Sequence, residues 1–413
     1  MTVSKRLGVI LLAVTALLTL PQAARAKTIK VGDGTAASCT EAALQNALVF
    51  AAGEKSSVIQ FRCGAAPIAI IVTATLTPPD NTTIDGDGLV RLQGNIPAAL
   101  MLVDHGIDVV LKGLTIANQT SNVFVEAPGL HNKGTLTVRN SSFANNFAGA
   151  IFNEGTLIVR DSTISDNGSS PEIHVGGIVN MGTLRVTESV FERNKGQGAG
   201  AIANDGDATI ADTTFADNED VVVGGAIANF GTLTVRNSDF ARNSAGHFGG
   251  AIFSAGQAKV TNSNFIQNRQ EGDGFGGAIA NTGTLSVYDS SFSGNGINGP
   301  AGGGAVSNSG RLDVHRSELS GNMASVGGAF LNSNTGTLVI DSSSITGNAA
   351  VLGRSGQGTG GGVSNQGILR IRNSLIVGNT AAVDGGGIHS CCGGTLTLND
   401  TIVFGNTPNN VVQ

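Results

Sequence analysis

The stretch GTLTVRNSDFARNSAGHFGGAI, residues 231–252, is one copy of a unit that fills most of the chain. Its frame is G-T-L-x-V, then S-x-F-x-x-N, then G-G-A-I. The asparagine that closes the middle segment occurs at positions 146, 167, 194, 218, 243, 268, 295, 322, 348, 379 and 406. The ten intervals between 146 and 406 average 26 residues. A period of this length is typical of a solenoid, in which each repeat contacts only its neighbours.

Three short strands are predicted in each unit, because apolar residues alternate with polar ones in each segment. In the copy quoted above, Leu233 and Val235 mark the first strand, Phe240 the second and Ile252 the third. Three strands and three turns per unit predict an all-β fold, a right-handed three-stranded parallel β-helix. Equivalent residues of successive coils then stack about 4.8 Å apart.

The ends of the chain predict a domain organisation. Residues 1–26 combine a basic start, an apolar run and a small-residue cleavage pattern, which together predict a secretory signal peptide. Residues 27–57 are assigned to an N-terminal cap and residues 58–413 to the β-helix, with regular repeats over about 130–406. The cap is predicted to contain a helix over 39–52, with Ser38 and Glu41 as a capping box. Such a helix would cover the first coil.

The charge balance favours an exported protein with an acidic surface. The chain has 24 Lys and Arg against 30 Asp and Glu. Removing Lys5, Arg6 and Arg25 with the leader leaves 21 against 30, a net charge of −9. The charges are scattered along the sequence and there is no Trp and one Tyr, which argues against a nucleic-acid partner. We expect a secreted or cell-surface, outer-membrane-associated protein with no transmembrane segment after leader cleavage.

The repeated asparagines are interpreted as structural. Asn tolerates the left-handed backbone of turns, and its amide can bond the Asn one coil away. The four cysteines allow three pairings. We favour a Cys39–Cys63 disulfide, because both residues lie in the non-repeating N-terminal part, and leave Cys391 and Cys392 unassigned.

No catalytic constellation, cofactor site or metal site is predicted from the sequence. Asp85-Gly86-Asp87-Gly88 is similar to part of a calcium loop but lacks further ligands. His389, Cys391 and Cys392 offer zinc ligands without a clear fourth. Acidic residues recur beside the strands and are interpreted as solvated corners: Asp161, Glu188, Asp212, Asp239, Asp289, Asp313 and Asp341.

One turn of the unit varies in length, the one between F-x-x-N and G-G-A-I. Insertions in a solenoid map to one face, which often forms the binding surface. The alternative is drift in a tolerant loop. The candidate interaction surface predicted here consists of His247, Phe248, Arg269, Glu271, Asp273, Phe275 and Arg354.

Two sets of motifs carry a family resemblance. G-G-A-[ILV] at 224–227, 249–252, 276–279 and 303–306, together with the F-x-x-N steps, resembles the repeats of the polymorphic outer-membrane protein family. Cys39 to Leu44, Phe61 to Cys63 and Asn81 to Gly88 are similar to segments of secreted right-handed parallel β-helix proteins with a pectin lyase-like fold. The resemblance implies an exported, non-catalytic, adhesin-like protein whose partner is a glycan or a cell-surface protein. The alternative is a carbohydrate-active enzyme or glycan-binding module of the pectate-lyase-like class.

Overall fold

The computed structural model describes residues 26–94, 96–119, 128–168, 175–300, 302–353 and 356–413. It is an all-β parallel solenoid of about 14 turns, which confirms the predicted fold class at that level. Residues 1–25 of the predicted signal peptide lie outside the described residues. No helix in the described ranges has the length and apolar character needed to cross a bilayer.

Sheet 1 has 27 strands and contains the first and second strands of every regular coil. The first strands are Thr135–Arg139, Thr156–Arg160, Thr183–Thr187, Asp207–Ala211, Thr232–Arg236, Gln257–Thr261, Thr284–Tyr288, Arg311–His315, Thr337–Asp341, Ile368–Arg372 and Thr395–Asn399. The second strands are Ser142–Ala144, Thr163–Ser165, Val190–Glu192, Thr214–Ala216, Asp239–Ala241, Asn264–Ile266, Ser291–Ser293, Glu318–Ser320, Ser344–Thr346, Leu375–Val377 and Ile402–Phe404. The irregular early strands are Lys27–Val31, Ser57–Phe61, Ile68–Val72, Thr82–Gly94 and Asp108–Ala117.

Sheets 2 and 3 form the rest of each coil. Sheet 2 has 13 strands, the third strands of the coils: Met101–Val103, Leu130–Asn132, Ile151–Asn153, Ile178–Asn180, Ile202–Asn204, Ile227–Asn229, Ile252–Ser254, Ile279–Asn281, Val306–Asn308, Phe330–Asn332, Val363–Asn365, Ile388–Ser390 and Val411–Val412. Sheet 3 has eight two-residue strands that the sequence analysis did not predict: Lys195–Gly196, Glu219–Asp220, Ser244–Ala245, Arg269–Gln270, Gly296–Ile297, Met323–Ala324, Ala349–Ala350 and Thr380–Ala381.

The register between regular coils keeps equivalent residues opposite each other, as in the pairing of Thr232–Arg236 with Gln257–Thr261. The apolar core therefore consists of columns. Phe191, Phe215, Phe240, Phe265 and Phe292 stack with ring centroids 4.6–4.9 Å apart and are all buried. This confirms the predicted column of aromatic residues.

Buried polar ladders run beside the core. Asn218 Nδ2 donates to Asn243 Oδ1 at 2.9 Å and to the carbonyl oxygen of Phe191 at 2.9 Å, and the same pattern repeats along the asparagine column. The structural interpretation of the asparagines is confirmed. A second ladder has no counterpart in the predictions. In most coils the serine before the second strand accepts from the N–H at the equivalent position of the previous coil, as Ser263 Oγ does from Ser238 N at 3.2 Å.

The corners between first and second strands are left-handed, and non-glycine residues occupy them, among them Asp161, Asn237 and Asp289 with φ near 50°. Asp and Asn tolerate this conformation best. Glycine is required elsewhere. Gly249 has φ +65, and a Cβ on Gly231 would collide with the carbonyl oxygen of Gly206 in the coil below.

The N-terminal segment contains a 3₁₀ turn, Ala36–Ser38, and an α-helix, Glu41–Ala51. The helix is capped by Thr40, whose side chain accepts from Ala43 N, so the predicted capping box at Ser38 is wrong. Glu41 instead accepts from Thr73 N at 2.8 Å. Leu44 and Leu48 are buried, and the helix packs against the irregular early strands of sheet 1.

The N-terminal segment is also joined to the solenoid covalently and by strand pairing. The predicted Cys39–Cys63 disulfide is present, with the two Cα atoms 5.7 Å apart. Ahead of the helix, Lys27–Val31 pairs with Ser57–Phe61.

Candidate functional site

The outer face of the first strands is positively charged. Alternate residues of each strand point outward, as the burial of Thr232–Arg236 shows. The outward positions of the eleven first strands carry eight cations, Arg139, Arg160, Arg185, Arg236, Lys259, Arg311, Arg370 and Arg372, and three carboxylates, Asp207, Asp313 and Asp341. The expected scattering of charge on an acidic surface is therefore wrong for this face. Because the coils stack, cations that are about one repeat apart in the sequence lie near one another on this face.

A row of aromatic and charged side chains runs along this face, toward its C-terminal end. Tyr288, His315, Asp341 and Arg372 occupy the same register position in four successive coils. The rings of Tyr288 and His315 are stacked, with centroids 5.0 Å apart and planes 7° apart. Asp341 Oδ2 lies 3.4 Å from His315 Nδ1 and 3.2 Å from Arg372 Nη2. Lys259 Nζ lies 5.4 Å from the centre of the Tyr288 ring.

The surroundings of Asp341 keep it ionised. A hydrogen bond from Asn373 makes the largest contribution and lowers the pKa of Asp341. Partial desolvation raises that pKa, but further hydrogen bonds from Arg372 and Ser342 lower it again, so the net shift is downward. The side chains of His315 and Asp341 are 19% and 18% exposed, so both are sheltered yet reach the surface. A carboxylate beside Nδ1 favours the tautomer with its proton on that nitrogen, which leaves Nε2 as an acceptor.

A pocket of about 470 Å³ lies at the corner next to this row. Arg316, Glu318, Asn373 and Asp400 contribute polar groups to its wall. Arg316 also forms a two-point ion pair with Asp289, at 2.7 and 2.8 Å, which lowers the pKa of that carboxyl. The first-strand face thus combines cations, a Tyr-His-Asp row and an adjoining cavity.

The described residues of the predicted interaction surface lie in sheet 3 and in the variable turns that lead from sheet 3 to sheet 2. Phe248 and Phe275 form an isolated parallel bridge, with ring centroids 6.2 Å apart. Arg269 is exposed on a strand of sheet 3, and Glu271 accepts from the side chain of Asn298 in the next coil. His247 and Asp273 are exposed beside the two phenylalanines. Arg354 lies outside the described residues.

The motifs compared with metal sites have other local roles. Asp85 accepts from Lys112 Nζ at 2.7 Å and from Asp87 N at 3.1 Å. Cys391 and Cys392 are free thiols at the rim of a pocket that also includes His389. Burial raises the pKa of Cys391 to about 11, so it is a thiol at neutral pH. In the described parts of the chain, no three His, Cys, Asp or Glu side chains come together as metal ligands would.

Solved structures with a similar course of the chain are alginate-processing enzymes. The periplasmic alginate epimerase AlgG is 11% identical, with coverage of 94% of this chain and 85% of the epimerase and a TM-score of 0.35. The PL6 family alginate lyase AlyGC is 13% identical, with coverage of 94% and 53% and a TM-score of 0.40. The alginate lyase AlyF-OU02 is 11% identical, with coverage of 95% and 88% and a TM-score of 0.39. At these values the likeness concerns the fold alone.

No protein-family model and no curated protein matches the chain. The predicted resemblance to polymorphic outer-membrane protein repeats is therefore not shown. The prediction of a non-catalytic, adhesin-like role is wrong, because the neighbouring structures are carbohydrate-active enzymes. The sequence search also missed the Tyr288, His315 and Asp341 row. It had considered Asp289, Asp313 and Asp341 singly, as solvated corners, and had not aligned the outward positions of the first strands.

Proposed function

We propose that this protein is a carbohydrate-active enzyme that binds an acidic polysaccharide along the first-strand face. The observation that carries the proposal is the Tyr288, His315 and Asp341 row, which lies within a stripe of cations on a chain whose net charge is negative. A stripe of one sign attracts a polymer of the opposite sign. An extended uronate chain, with one carboxylate on each sugar, fits both the charge and the linear form of this stripe.

The reaction that best fits these side chains is elimination at a uronate residue. Lys259, beside the Tyr288 ring, would neutralise the substrate carboxylate and so acidify the proton on the adjacent carbon. Arg372 lies four coil steps away, about 19 Å, and would bind the carboxylate of another sugar. His315 Nε2 would remove that proton, while the electron pair forms a carbon–carbon double bond and the glycosidic carbon–oxygen bond breaks. The Tyr288 hydroxyl would give a proton to the leaving oxygen. Asp341 would act as a positioning residue that holds the His315 tautomer.

The test is to incubate the full exported chain with polyuronates, alginate and polygalacturonate, and to follow the ultraviolet absorbance of unsaturated uronate products. His315→Gln and Tyr288→Phe should each lower the turnover rate by about 10²–10⁴-fold, the usual contribution of a positioned acid or base. His105→Gln is the matched control, because His105 is exposed in a turn at the far end of the solenoid.

Other outcomes decide between related functions. If the configuration of the sugar is inverted at the carbon next to the carboxylate and the chain is not cleaved, the protein is an epimerase, which begins with removal of the same proton. Polyuronate binding without any product would leave a glycan-binding module. If wild-type protein neither binds nor alters any polyuronate, the proposal is refuted.

Several architectural features belong to the proposal. The winding is proposed to be right-handed, with residues 27–57 as a cap over the first coil and cleavage of the leader near residue 26. The buried face of the helix and the Cys39–Cys63 disulfide support a cap and an oxidising compartment. We also propose that the G-G-A-[ILV] and F-x-x-N repeats are related to those of the polymorphic outer-membrane protein family in fold. Mass spectrometry of the exported chain would give its true N-terminus.

A further inference from the structure

A second surface, on the face of the coil that adjoins the cationic stripe at one corner, has the form of a trough along the rod axis. Its floor is the outer face of sheet 2, where the middle residues of six successive third strands are Phe253, Ala280, Ser307, Leu331, Ser364 and His389. Ala280, Ser307, Leu331 and Ser364 are buried at the bottom, and Phe253 and His389 are partly exposed. One wall consists of the residues that form isolated parallel bridges just before the third strands, such as Phe248 and Phe275. The other wall consists of the turns just after the third strands, such as the turn of Phe230. From the coil of Phe253 to that of His389 the trough crosses five coil steps, about 24 Å.

The first part of the trough is aromatic. Phe253 on the floor contacts Phe230 of the following turn and Phe248 of the wall, with ring centroids 5.7 and 6.0 Å away. Phe248 in turn lies 6.2 Å from Phe275. Phe230 is 49% and Phe275 39% exposed, so two ring faces meet solvent. Phe248 and Phe275 belong to the predicted interaction surface, whereas Phe230 and Phe253 lie in other segments of the repeat, and the tertiary structure brings the four rings together.

The second part is a pocket of about 650 Å³ that begins at Phe275. Gln357, Ser364 and Gln366 supply polar groups to its lining. His389 also lines it, and the Nδ1 atom of this residue is buried without a hydrogen-bond partner in the described structure. The described residues that line the pocket include no Lys and no Arg. A mostly apolar cleft with a few amide and hydroxyl groups is the usual form of a small-molecule site.

From this arrangement we propose that the trough binds a neutral polysaccharide chain. Sugar rings have C–H faces that pack on exposed aromatic rings and hydroxyl groups that bond amides and hydroxyls. The elongated shape fits a chain and not a compact ligand. The described lining contains one carboxylate, Asp273, and no Lys or Arg, which separates this site from the first-strand face, where a uronate chain is expected. The protein would then hold two polymers of different charge on two faces of one rod, and the trough would bind without cleaving. This inference goes beyond the proposed enzyme and does not depend on it.

The experiment measures affinity for three neutral hexasaccharides, cellohexaose, xylohexaose and mannohexaose, by calorimetry with the full exported chain. At least one should bind. Phe275→Ala and, separately, Gln366→Ala should weaken that binding by about tenfold, the effect of losing one good anchor. Phe50→Ala is the matched control, because Phe50 is 71% exposed on the N-terminal helix, far from the trough. His315→Gln should leave this affinity unchanged.

The outcomes separate the two proposals. Neutral-chain binding that survives His315→Gln and fails in Phe275→Ala supports the trough even if no polyuronate is cleaved. No binding of any of the three hexasaccharides, or binding that persists in both trough variants, would overturn it. A sedimentation coefficient that shows a dimer in wild-type protein and a monomer in Phe275→Ala would also overturn it, because a second copy would then be the occupant.

Discussion

At the scale of single residues, stacking packs each core side chain between the equivalent side chains of the two neighbouring coils. Phe240 lies between Phe215 and Phe265, 4.8 Å from each ring, and is fully buried. Phe240→Ala should lower the free energy of unfolding by about 3–5 kcal/mol, since it removes two stacking contacts and leaves a cavity. Urea unfolding followed by circular dichroism measures this loss. Phe404→Ala, at a residue 55% exposed, is the control and should cost far less. Equal costs for the two variants would contradict the buried column.

Asp220 is a charged residue placed where the other coils carry small or neutral ones. Asp220 is 2% exposed, and burial raises its pKa to about 7. Val222 N and Val223 N donate hydrogen bonds to Oδ1, which lower the pKa but do not offset the burial. The folded state therefore keeps a proton that the unfolded chain has already lost. Stability should fall as pH rises from about 4 through about 7, by on the order of 4 kcal/mol.

The measurement for Asp220 is a pair of urea unfolding series from pH 4 to pH 8.5. Asp220→Asn removes the titration, so the stability of the variant relative to wild type should increase across this window and level off above it. The difference in unfolding free energy between variant and wild type also contains the cost of burying the new amide. The change of this difference with pH, and not its absolute value, is therefore compared. A constant difference over the whole range would show that Asp220 is already ionised in the folded protein.

At the scale of strands, outward positions determine the chemistry and inward positions the fold. Arg370 and Arg372 project from one first strand toward solvent, whereas Leu369 and Ile371 are buried. Arg370→Glu should weaken polyuronate binding by about tenfold or more at low salt and reduce its dependence on ionic strength, because the cationic stripe loses two units of charge. Affinity electrophoresis through alginate gels at several salt concentrations measures this.

The control for Arg370→Glu carries the same change of charge off the stripe. Lys55→Glu alters an exposed residue in the turn after the helix. If both variants lose affinity equally, net charge and not the first-strand face explains binding.

Inter-coil ion pairs on other corners, such as Arg242–Asp217 at 2.7 Å, are surface pairs and contribute only about 0–1 kcal/mol to stability.

At the scale of the whole molecule, about 14 stacked turns predict a rod. With about 4.8 Å per coil, the solenoid should be about 65 Å long. Small-angle X-ray scattering of the exported chain should give a distance distribution with the long tail of a rod. A symmetric distribution with a maximum dimension near that of a compact sphere would contradict it.

The fold could be predicted because its information is local and repeated. A glycine, two alternating apolar residues, a large apolar residue (Phe in six of the eleven units) and an asparagine recur in every unit. The inward columns, the Asn ladder and the parallel stacking therefore follow from the sequence alone. The capping residue of the helix and the two-residue strands of sheet 3 could not be predicted, since Ser38 and Thr40 are equally good caps by type and a dipeptide carries no period.

The sites depend on the tertiary structure. Tyr288, His315, Asp341 and Arg372 stand 26–31 residues apart in the sequence, and each is the fifth residue after a repeat glycine. The repeat therefore gives their common register, but only the structure shows the ring stacking and the ion pairs between them. Phe230 and Phe253 belong to different segments of the repeat. The sequence by itself determined the columns, because burial selects the same residue type in every coil. The structure alone decided the surfaces, because outward positions are free to differ, and only the register of stacked coils brings their side chains within contact distance.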